Sequence, residues 1–68
     1  MEHNEALAAL QNAYDDLATA LVLLGRAVDG ASALGVTVAT GDHVRARSYL
    51  GGMQERIASE YGRRALGR

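Results

Sequence analysis

One run of residues constrains this chain more than any other. Leu7, Leu10, Tyr14, Leu17, Leu21, Leu24 and Val28 follow one another at spacings of three and four. That alternation is an a/d seam held for three heptads, the pattern of a helix that packs lengthwise on another helix. Ala6, Ala13, Ala20 and Ala27 recur every seven residues beside it, and small side chains in such a row let a neighbouring helix come close. The spacing predicts a first helix over residues 5–28, with Asn4 as a candidate cap and Glu2 and Glu5 at the positive end of its dipole. Around Asn12, Asp15 and Asp16 the outer side is polar, whereas every side is apolar from Leu21 to Leu24. One neighbour cannot cover such a segment, so this helix belongs at the centre of an assembly.

Where the helix ends is open from sequence. Gly30 is one stop. The other lets it run to Leu34, with Gly35 as a left-handed cap and Val36 folded back onto Ala31. The β-branched residues Val36, Thr37, Val38 and Thr40 that follow read as an extended connector over residues 35–41. The stretch from Ala31 to Thr40 also resembles the turn of a helix-turn-helix, with Gly35 at the turn and Val44 at an apolar position of the second helix. That resemblance implies a DNA-reading helix, and the plain connector is the alternative.

A second helix is expected over residues 42–62, capped by Thr40 or Asp42. Ala46, Leu50, Met53, Ile57 and Tyr61 form its apolar stripe. Gly51 and Gly52 sit mid-helix, where each costs about 1 kcal/mol relative to Ala. Such a pair either kinks a helix or admits another backbone, and close packing on the alanine row of helix 1 is the expectation. Residues 63–68 read as a frayed basic tail. Helices of about 36 and 32 Å, at 1.5 Å per residue, match in length as an antiparallel hairpin requires.

Composition sharpens this. With 68 residues there is material for one small domain, and a single core of that size is marginal. Cysteine is absent, which removes disulfides and thiolate metal sites and leaves self-association as the remedy. Apolar residues make up 49 % of the chain without any Phe or Trp, so the core must be Leu, Ala and Val. The fold class expected is all-α: a two-helix antiparallel hairpin, 1–68, that dimerises into a four-helix bundle. The interface residues expected are the seam Leu7, Leu10, Tyr14, Leu17, Leu21, Leu24 and Val28, together with Leu50, Met53 and Ile57.

Charge is split along the chain. Residues 1–41 hold five acids against Arg26 alone, a balance of −4, and residues 42–68 hold six arginines against Asp42, Glu55 and Glu60, a balance of +3. In a hairpin this brings Glu2 and Glu5 toward Arg63 and Arg64. It also leaves Arg45, Arg47, Arg56, Arg63, Arg64 and Arg68 as candidate phosphate contacts, which makes a small nucleic-acid-binding protein the alternative function.

No constellation points to catalysis, and no cofactor is expected. His3 and His43 begin different helices at opposite ends of a hairpin, so no metal site is expected either. Adjacent carboxylates at Asp15 and Asp16 diverge by about 100° around a helix. The Gly51-Gly52 pair lacks the strand and the Lys-Ser/Thr of a phosphate loop. The acidic start is unlike a signal peptide, and the longest apolar run, Ala20 to Leu24, is too short for a bilayer, so a cytoplasmic location and no membrane partner are expected. Arginine without lysine, with abundant Ala and Gly, suggests a GC-rich bacterium or phage. The functional expectation is an oligomeric helical protein-interaction module, a homodimer with a protein partner of unknown identity, serving as regulator, adaptor or inhibitor.

Overall fold

Ala- and Leu-rich sequence without proline favours helix wherever glycine does not intervene, and two helices account for most of the chain. The computed structural model describes residues 2–67. Helix α1 spans His3–Ala33 and helix α2 spans Thr40–Ala65. The two pack side by side, and no strand occurs among the described residues. They run antiparallel: Gln54 of α2 donates to the backbone carbonyl of Tyr14 in α1 at 3.4 Å, and Arg47, about two turns earlier in α2, reaches Gly25, farther along α1.

The ends are set by backbone rather than by side-chain caps. Glu2 precedes α1 without a side-chain cap bond, and the Ala6 N–H donates to the Glu2 carbonyl at 2.9 Å. Asn4, expected as the cap, lies inside the helix because the first turn forms two residues earlier. Gly30 does not stop α1. Gly35 has a φ of 78°, the Gly35 N–H donates to Ser32 O at 3.0 Å and the Val36 N–H donates to Ala31 O at 2.9 Å. This double back-bond satisfies carbonyls that a helix end would leave orphaned.

Residues 36–39 carry no helical structure, and α2 opens after Ala39, again without a side-chain cap bond. Thr40 is its first residue and Asp42 lies in its first turn, so neither fills the cap position expected of it. Asp42 still faces the positive end of the dipole, which is the weaker of the two services a carboxylate gives there. The helix-turn-helix reading fails on the same geometry: α2 begins only after an extended link, and it lies back along α1 instead of crossing it. At its other end α2 passes through Gly62 and ends at Ala65, so Arg63 and Arg64 are helical and not part of a frayed tail.

The result is a slab of 52 × 18 × 13 Å with a radius of gyration of 15.7 Å. A compact chain of this length would have a radius near 11 Å. Two helices in one layer have an inner seam and no interior.

Candidate interaction surface

The seam shows how little one copy can hide. Among the described residues only Ala6 is buried. Leu7, Leu10, Leu17, Leu21, Leu24 and Val28 are half-buried against α2, and Tyr14 is 38 % exposed. From α2 the seam receives Ala46, Leu50, Ile57 and Tyr61. Met53, expected in that stripe, is left on the surface at 41 % exposure, and half-buried Gln54 takes the place beside α1. A polar residue can do so because its amide finds the Tyr14 carbonyl.

The hairpin has two broad faces, each marked by a groove between the helices. One groove is lined by Leu10, Gln11, Tyr14, Ile57, Ala58 and Tyr61; we call this side the tyrosine face. The other is lined by Ala6, Ala9, Leu10, Glu60 and Arg64; this is the alanine face. Large apolar side chains stand out on both. Val22 is 62 % and Leu23 51 % exposed, and Tyr49 is 70 % exposed. The all-apolar segment Leu21 to Leu24 pointed to Val22 and Leu23, whereas Tyr49 lies off the stripe that sequence reading followed.

Charged groups pair along α2 instead of across the hairpin. Arg45 meets Asp42 at 2.5 Å. Arg63 and Arg64 both engage Glu60, Arg64 through Nε at 2.7 Å. Those hydrogen bonds, Arg64's first and Arg63's after it, hold the Glu60 carboxyl below its ordinary range although its partial burial pushes the other way. Arg47 donates from Nε to His43 Nε2 at 3.2 Å. The expected approach of Glu2 and Glu5 to Arg63 and Arg64 is therefore not an ion pair: Glu60, one turn away on the same helix, captures both guanidinium groups first. Every ion pair among the described residues lies within α2, and the acids of α1 have no basic partner there. Arg56 likewise has none, and Arg68 lies outside the described residues.

The glycines also depart from expectation. A Cβ placed on Gly51 or Gly52 would meet nothing within 4 Å, so the pair is not packed on the alanine row of the same copy, and α2 runs through it unbroken. The close approach occurs at Gly25, where a Cβ would stand 3.3 Å from the Arg47 guanidinium.

His3 lies at the end of the slab near Glu60, Arg63 and Arg64 and His43 at the other end. Among the described residues no group of three His, Asp or Glu side chains is placed to hold a metal, and no helix is long and apolar enough to cross a membrane. No family model, no curated protein and no solved structure matches the chain.

Proposed function

We propose that this chain is a self-associating helical protein-interaction module whose working form is a homodimer, a four-helix bundle made of two hairpins. The observation that carries the reading is the missing interior: one buried residue, Ala6, against ten exposed large apolar side chains. The accessible surface is 5104 Å², whereas a compact monomer of this mass would expose about 4,100 Å². The excess is on the scale of the ~800 Å² that each partner contributes to a standard interface. A helix apolar along a whole segment, as α1 is from Leu21 to Leu24, belongs among several neighbours.

The arginines are less available to phosphate than their number suggests. Arg45, Arg63 and Arg64 are engaged by acids of their own helix, and Arg47 is bound to His43. A basic groove for nucleic acid is accordingly the weaker use of α2.

Sedimentation equilibrium tests the proposal. The expected result is a species of twice the 7.2 kDa chain mass at micromolar concentration. A folded monomer of the single mass throughout that range overturns it. Titration of labelled duplex at two salt concentrations is expected to show no salt-dependent binding, because few arginines are free to release counterions.

A further inference from the structure

Self-association leaves two faces to choose between, and the charges that have no partner within one copy, Asp16 on α1 and Arg56 on α2 foremost, distinguish them. The alanine-face groove brings Ala9 of α1 opposite Glu60 of α2. Followed at helical spacing from Ala9, the stripe of α1 on that face is Glu5, Ala13, Asp16, Ala20, Leu23 and Ala27. Followed from Glu60, the stripe of α2 is Asp42, Tyr49, Met53, Arg56, Glu60 and Arg63, in which Asp42 is paired with Arg45 and Glu60 with Arg63, and Arg56 has no partner. One side of the face is thus acidic and small, and the other is aromatic and apolar with Arg56 as its uncompensated charge.

We propose that the second copy docks on the alanine face, related by a two-fold axis parallel to the helices, so that α1 of each copy lies on α2 of the other. The proposal rests on the homodimer reading above and adds which surface is used and what fixes its register. A two-fold along the helices preserves axial level, so residues level within one copy are level across the interface. The pairs Tyr14 with Gln54 and Gly25 with Arg47 define those levels. Stepping along both helices from them brings Asp16 within a turn of Arg56 in the other copy, and Glu5 within a turn of its Arg63. Leu23 falls beside Tyr49 and Ala20 beside Met53 in the same way, which covers three of the large apolar side chains that one copy leaves exposed, Leu23, Tyr49 and Met53.

The tyrosine face gives the opposite result under the same operation. Its stripes, read from Gln11 and Ala58, carry Asp15 on α1 and Glu55 on α2, and these two carboxylates fall at one level. Docking there sets like charges opposite each other twice. Area supports a single-face dimer: a slab 52 × 18 Å in plan offers roughly 900 Å² per broad face, against the ~800 Å² per partner of a standard interface.

Charge reversal tests the face. Asp16→Arg alone and Arg56→Asp alone each put like charges at both copies of the pair, while a mixture of the two variants makes both pairs opposite in sign. The expected result is about tenfold weaker self-association for each variant alone, given ~0–1 kcal/mol per surface pair, and preferential heterodimer formation on mixing, read by native mass spectrometry. Leu23→Ser is expected to weaken the dimer, and Val22→Ser, on the tyrosine face, to leave it intact, with helicity checked by circular dichroism. A wild-type dimer with no heterodimer preference, or one broken by Val22→Ser and not by Leu23→Ser, overturns the choice of face while the homodimer stands. A monomeric wild type overturns the homodimer, and this inference with it.

Discussion

Gly35 and Glu60 are the two residues whose environments differ most from an ordinary helix surface. At a φ of 78° a side chain is crowded by the following carbonyl, and only glycine adopts the conformation freely. Gly35→Ala is expected to cost about 1 kcal/mol in chemical denaturation, although nothing lies within 4 Å of the new Cβ; an unchanged midpoint would mean that the cap is not held. Glu60 bears on pH. Its carboxyl is held below the ordinary range by Arg64 and Arg63, so the folded chain binds its proton more weakly than the unfolded chain does. That contribution to stability is complete above the ordinary carboxylate range and fades as pH falls through the lowered value. The side-chain carboxyl carbon of Glu60, followed by NMR, is expected to titrate below the ordinary glutamate range, and Arg64→Gln to bring it most of the way back. At this scale Gly35 was legible as one of two possible stops, because glycine before a β-branched run has a specific backbone use, but the choice between Gly30 and Gly35 was not. The Arg63 and Arg64 pairings were misread because charge balance between halves ignores a nearer acid on the same helix.

Two elements, α1 and α2, were legible as types because apolar spacing decides them, and their packing follows from matched length. Their starts were not, because Asn4, Thr40 and Asp42 are good caps in isolation while the backbone of Glu2 and Ala39 opens the helices without them. Nor was the rotation of α2. Met53 and Gln54 are neighbours, and the amide bond from Gln54 to Tyr14 outweighs the small gain of turning one more methionine inward. Two predictions belong here. Gly51→Ala and Gly52→Ala each add a methyl where nothing stands within 4 Å, and each should raise stability by roughly 0.5–1 kcal/mol in thermal melts. A loss at Gly51, which shares the tyrosine-face stripe of Ala58, would instead signal another backbone against that face. Leu21→Asp places a charge in the seam between the helices, where it has no partner, and should abolish cooperative folding; an unchanged melt would show that the seam carries no stability.

The described residues form a single layer in which only Ala6 is buried, and the proposed dimer supplies the burial that one layer lacks. A chain of 68 residues must offset a conformational entropy of about 1–2 kcal/mol per backbone residue, and half-burial of six seam residues on α1 supplies little against that. The candidate surface was legible in part: the greasy Leu21 to Leu24 segment announced that more than one neighbour is needed. The choice between faces was not legible, because it depends on axial levels that only the packed hairpin defines. The account therefore stands on one measurement, the dependence of thermal unfolding on chain concentration. A dimer-linked fold predicts a midpoint that climbs by several degrees between about 1 and 100 µM, as mass action demands of a folded state that exists only when paired. A cooperative transition at the same temperature across that range would show that a lone hairpin is stable and would contradict the central claim.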